Sequence, residues 1–150
     1  MDSAPEITHL DPGPAIAIRA QVSLDELAEF FAGAFAELGT CGASQIVGPP
    51  LAIYHSFTPE RIDVQAVMPV RTVVPAVGRV QPIMLVGGPA VQVRHVGSYD
   101  QLGTAHTSIE RWMTDHDRRK AGATREVYLT APTVPPAEQV TLVIQPLQGA

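Results

Sequence analysis

The chain has 150 residues, 45% of them hydrophobic, which suits one domain or two small halves sharing a core. A formal charge of −5 excludes a broad phosphate-binding face, and the one basic cluster, Arg118-Arg119-Lys120, suits the carbonyls at a helix C-terminus. A lone cysteine, Cys41, excludes an internal disulfide and a Cys-rich zinc site.

No basic leader precedes an apolar run, and no apolar run is long enough to span a bilayer, so a soluble, cytoplasmic protein is expected. Glu6 to Leu10 predicts a short strand and Asp11-Pro12-Gly13-Pro14 a turn. Ala15 to Ala20 alternates, with Ile16 and Ile18 on one face, and predicts a half-buried strand. Ser23-Leu24-Asp25-Glu26 is a capping box, in which serine and glutamate satisfy the orphan N–H groups of a helix start. Leu24, Leu27, Phe31, Ala34, Phe35 and Leu38 then recur at helical spacing, and Gly39 predicts the stop. Beyond Gly48-Pro49-Pro50, Leu51 to Phe57 and Arg61 to Met68 predict two strands, the second ended by Pro69. Val80 to Val86 predicts a further strand or an extended linker.

The second half repeats the first. Pro89 to Leu102, PAVQVRHVGSYDQL, matches Pro14 to Leu27, PAIAIRAQVSLDEL, and each matched pair lies 75 residues apart without a gap. The strand Ala90 to Val96, a second capping box at Ser98-Tyr99-Asp100-Gln101, and a helix through Leu102, Ala105, Ile109 and Met113 to about His116 follow. Arg125 to Thr130 and Gln139 to Gln145 predict the last strands, with Pro146 placed as Pro69 is. Each repeat, about residues 7 to 86 and 88 to 147, therefore reads strand-helix-strand-strand. One helix on a small antiparallel sheet leaves an apolar face uncovered. Two such units give an α+β domain with a pseudo-two-fold axis, both helices on one face and a central ligand groove.

The chemistry-bearing residues are few. The sequence holds no Walker loop, Rossmann glycine fingerprint, nucleophile elbow or HExxH. The five histidines, at 9, 55, 95, 106 and 116, stand at no metal spacing, so neither metal nor cofactor is expected. Glu126 is the exception: period two sets this acid beside Tyr128 on one face of an otherwise apolar strand, with Val127 and Leu129 on the other. It reads either as a cation site or as an edge-strand acid paired with Arg125. Tyr54 occupies the comparable strand of the first repeat, and Tyr99 and Trp112 belong to the second helix. Together they would form a stacking wall for a flat ligand; core packing for Trp112 and a surface position for Tyr99 are the alternatives.

PAVQVRHVGSYDQL, the helix with Trp112, REVYLTAPTVPP, the terminal IQPL, and FTPERIDVQAVMPV in the first half resemble the GyrI-like small-molecule-binding domain, over about Ile7 to Leu147. This is also the effector-binding domain of multidrug-sensing transcription regulators. The resemblance implies a groove between two repeats that takes flat, hydrophobic, often cationic compounds. It implies that Glu126 meets the positive charge while Tyr54, Tyr99 and Tyr128 stack on the rings. About a dozen residues precede the first repeat strand, so a stand-alone form without direct DNA binding or membrane association is expected. Three functions fit it: capture of an aromatic small molecule; hydrolysis of reactive cyclopropane-containing toxins, with Glu126 as general acid or base helped by a tyrosine hydroxyl or His106; and that of an interaction protein that binds gyrase. Gyrase or a separate regulator is the protein partner expected.

Overall fold

The structure is a computed structural model and describes residues 1–149. In chain order the elements are β1 (Glu6–Leu10), β2 (Gly13–Val22), α1 (Leu27–Gly42), β3 (Leu51–Thr58), β4 (Arg61–Pro69), β5 (Gln81–Leu85), β6 (Gly88–Val96), α2 (Gly103–Asp115), β7 (Thr124–Tyr128) and β8 (Val140–Pro146). The class is α+β, with antiparallel strand pairing, and the elements gather into two compact units. No helix among the described residues is long and apolar enough to cross a membrane.

The unit from Asp11 to Gly87 holds strands in the order β3-β4-β2-β5 with α1. Ile16 and Ile18, two apart on β2, meet Ala34 and Leu38, four apart on α1, and all four are nearly or fully buried. Cys41 packs half-buried against this core.

The other unit combines Met1–Leu10 with the residues from Gly88 onward, in the order β1-β6-β8-β7 with α2. Val91 and Val93 alternate on β6 beneath Ala105, Ile109 and Met113, one per turn along α2. Burying an aliphatic side chain of this size contributes about 1.5–3 kcal/mol.

Strand register carries the 75-residue repeat into three dimensions. Leu85 pairs with Gly13 as Leu10 pairs with Gly88, and Gln81 with Ala17 as Glu6 with Gln92. So β1, read from the sequence with the first repeat, packs in the unit of the second. The physical reason is that β2 already has β4 on one side and β5 on the other, which leaves it no edge for β1.

The helix ends differ from the sequence reading in two places. At Ser23 the capping box forms, and the Glu26 carboxylate accepts from both the Ser23 N–H (2.9 Å) and its hydroxyl (3.0 Å). At Ser98 the expected box is absent, because the Ser98 hydroxyl donates to Asp100 instead. In both places one 3-10 turn precedes the helix. Gly39 does not stop α1, which runs on to Gly42 and ends where Ala43 takes a positive φ of 41°. Open space surrounds Gly39, whereas a Cβ on Gly42 would lie 2.9 Å from Ile46 Cγ1 and 3.1 Å from Ile16 Cδ1. Gly42 is therefore the position that close packing requires.

A buried polar pin joins the first residues to β6 and α2. His95 is 2% exposed, and both of its ring nitrogens face acceptors: Nδ1 donates to Asp2 Oδ1 (2.5 Å) and Nε2 to the Ser98 carbonyl (3.0 Å). The Thr104 hydroxyl donates to Asp2 Oδ2 at 2.6 Å. Burial alone would push the Asp2 carboxyl up; the bonds from Thr104 and His95, with the His95 charge, outweigh it and hold the carboxyl below the usual aspartate range. A carboxyl held low in the folded chain stabilises it above the unfolded value, and that contribution fades as pH falls through the folded one.

Two predictions follow from these contacts. Gly39→Ala should raise stability by about 0.5–1 kcal/mol, while Gly42→Ala should lower it by about 1–3 kcal/mol; denaturant midpoints that move alike would refute the distinction. Asp2→Ala should cost about 1–3 kcal/mol at pH 7, since it leaves a buried imidazole donor unmet. The gap from wild type should narrow as pH falls through the folded Asp2 value, which lies below pH ~3.9; a gap that stays constant down to the acid limit of the folded state would show that the carboxylate charge plays no part.

Candidate functional site

Two β7 positions, Glu126 and Tyr128, alternate into the site. Glu126 pairs across the sheet with Val143, and Tyr128 with Thr141. Side chains of paired residues share a face, so Glu126 and Tyr128 lie on the face with Val143, which packs beneath α2. Arg125, one residue away, points to the other face, and burial pushes its guanidinium below the usual range.

The Glu126 side chain is 9% exposed. A carboxylate so far out of water needs donors. His106, on the first turn of α2, places Nε2 2.8 Å from Oε2, and the Tyr128 hydroxyl donates to Oε1 at 2.9 Å. The carboxylate accepts only, so Nε2 carries a proton in this contact. Tyr99, at the start of the 3-10 turn before α2, sets its ring edge-on to Tyr128, with centroids 5.7 Å apart and planes at 77°. Burial pushes the Tyr99 phenol up, partly offset by its hydrogen bond with the Thr130 side chain. Glu126, Tyr128, Tyr99, His106 and Thr130 therefore form one hydrogen-bonded and ring-stacked cluster within a single unit.

Sequence reasoning singled out the first three and gave His106 an assisting role. It missed Thr130, although period two from Tyr128 points to it. Trp112 lies elsewhere. Six residues beyond His106, it occupies a different side of α2, stacks on His116 at 4.3 Å and packs against the core. Tyr54 belongs to the other unit, where its ring meets Phe57 at 5.9 Å.

Register gives each site residue a counterpart in that other unit. Tyr54 pairs with Val64 as Tyr128 with Thr141, and Ala52 with Ala66 as Glu126 with Val143. The 75-residue offset matches His106 with Phe31 and Tyr99 with Leu24. The carboxylate and imidazole thus exist in one copy only.

An open depression of about 870 Å³ also marks the Glu126 unit, lined by Asp2, His95, Thr104, Thr107 and Arg111 among others. Of its α2 side chains, Thr104, Ser108 and Arg111 lie away from His106 by helical spacing, and no residue of the Glu126 cluster lines it. Among the described residues no three His, Cys, Asp or Glu side chains are placed to hold a metal ion.

Comparison with known proteins bears on the fold and the family. The fold is similar to the EcmrR C-terminal domain, with TM-score 0.87, 18% identity, and 97% of this chain and 98% of that chain covered. Against the EcmrR chain in its complex with DNA the TM-score is 0.88 at 18% identity; 97% of this chain matches, and it spans only 57% of that chain. A hydrolase from Listeria innocua is similar at TM-score 0.67 and 17% identity, covering 96% of this chain and 91% of that one. SAV2435 bound to tetraphenylphosphonium is similar at TM-score 0.72 and 11% identity, covering 97% and 94%. At these identities the likeness concerns the fold. No curated protein sequence matches. The sequence profile of the GyrI-like small molecule binding domain matches residues 3–148, nearly the whole chain, and this chain belongs to that family.

Proposed function

We propose that this protein binds flat, hydrophobic, cationic aromatic compounds at the Glu126 cluster, as a sensor or a sequestering protein. The observation that carries this reading is the buried Glu126 carboxylate held beside an edge-on tyrosine pair. A ligand cation brought to that carboxylate gains a charge-assisted contact in a poorly hydrated place, and ring faces attract both its charge and its aromatic surface. A fold neighbour bound to tetraphenylphosphonium, a cation with four phenyl rings around a tetrahedral phosphorus, supports the cationic and aromatic character of the ligand, though not its flatness. Tyr99 and Tyr128 supply the stacking surface, and Tyr54 is the corresponding ring of the other unit. Trp112 is left to packing.

A second reading draws on the same contacts. A carboxylate 2.8 Å from an imidazole and 2.9 Å from a phenol can move a proton, the requirement for hydrolysing a strained ring such as a cyclopropane. Glu126→Gln separates the two readings, because it keeps the shape and removes the charge.

On the binding reading, calorimetric titration of Glu126→Gln with tetraphenylphosphonium should show a loss of about 1–3 kcal/mol relative to wild type, and neutral triphenylphosphine oxide should lose far less. On the hydrolytic reading the variant keeps its affinity and loses turnover. Equal affinity of both proteins for both compounds, with no turnover to lose, would show that Glu126 is not the site.

A further inference from the structure

We propose that His106 is a built-in competitor for the ligand's positive charge and makes the cluster select cations according to pH. The inference rests on the binding reading above and adds the residue that regulates it.

The two buried-site histidines of this unit are held differently. His95 is pinned at both ring nitrogens and sits 2% exposed. His106 is held at Nε2 alone, by Glu126 Oε2, and its side chain is 36% exposed where that of Glu126 is 9% exposed. The imidazole therefore lies on the solvent side of the carboxylate and has one bond to break when it turns away. Among the described residues no second bond to its ring is seen. Glu110, one helical turn on, is tied to Lys120 at 2.6 Å, and Asp100 to the Ser98 hydroxyl. The Tyr99 hydroxyl is bonded to Thr130, the Tyr128 hydroxyl to Glu126 Oε1, and Val143 opposite on β8 is apolar.

Histidine changes charge between about pH 5 and 8. A neutral His106 donates Nε2–H to the carboxylate without bringing a charge of its own. A protonated His106 supplies a full positive charge at the same 2.8 Å. A ligand cation then meets a second positive charge at the carboxylate and has to displace it. Cation binding and protonation of His106 therefore oppose each other, and by linkage the cation drives a proton off. A neutral ligand has no such stake. The first unit, with Phe31 at the matching position and Ala52 at that of Glu126, has no counterpart of this device.

The test is titration of the full chain with tetraphenylphosphonium and triphenylphosphine oxide at pH 5.5 and pH 8, for wild type and His106→Gln. Wild-type affinity for the cation should rise about tenfold with pH, equivalent to roughly 1.4 kcal/mol, while affinity for the neutral compound stays level. The cation should release protons on binding, read from the heat in buffers of different ionisation enthalpy. In His106→Gln both the slope and the proton release should vanish. A wild-type affinity that is level with pH overturns the inference without recourse to any variant, and so does a slope that survives in His106→Gln. Either result leaves the binding reading intact if Glu126→Gln still discriminates the two compounds. Failure of both compounds to bind at either pH overturns the binding reading and this inference with it.

Discussion

A carboxylate removed from water has to be met by donors, and the arrangement around Glu126 is the solution this chain has found. Period two on β7 turns Glu126 beneath α2 rather than away from it, where solvent cannot serve it. The donors come from two directions: His106 descends from the helix, and Tyr128 reaches back along the same strand. Tyr99 then closes on Tyr128, so the polar contact and the aromatic surface are built together. Moving the strand by one residue would replace this set with Arg125 and Val127, and the site would not exist.

The second constraint is duplication, which supplies a scaffold twice and chemistry once. β1 and β5 dock on β6 and β2 in the same register, and α1 and α2 cover equivalent faces of their own units. Yet Ala52, Phe31 and Leu24 stand where Glu126, His106 and Tyr99 stand in the other copy, and only the tyrosine is common to both, as Tyr54 and Tyr128. Duplicated folds commonly diverge in this way, because packing restricts the buried aliphatic positions while strand ends and helix starts remain open to change.

Much of the fold was legible because its signals are local. Alternation at Ile16 and Ile18, helical spacing through Leu38 and again through Met113, and the prolines at 69 and 146 each act within a few residues. Three features were not legible for the complementary reason. Gly39 looks like a helix stop, but α1 runs on to Gly42 and ends at the positive φ of Ala43, and the position that close packing reserves for glycine is Gly42, set against Ile46 and Ile16 that only the folded chain brings near. Ser98 has the spacing of a capping box, but Asp100 competes for its hydroxyl. β1 belongs with β6, far along the chain, because the nearer strand has no edge left. At the candidate site, strand period set Glu126 and Tyr128 on one face of β7, which the register shares. The link to His106 crosses from a helix to a strand 20 residues away, and no periodicity encodes that.

The central claim is that the Glu126 carboxylate receives the positive end of an aromatic cation. A crystal structure of the protein grown with tetraphenylphosphonium tests it most directly. The account predicts the phosphorus within about 6 Å of the Glu126 carboxylate, a phenyl ring against Tyr99 or Tyr128, and the His106 imidazole turned away from Oε2. A cation seated in the depression lined by Asp2, Thr107 and Arg111, with the His106–Glu126 bond unchanged, would contradict it.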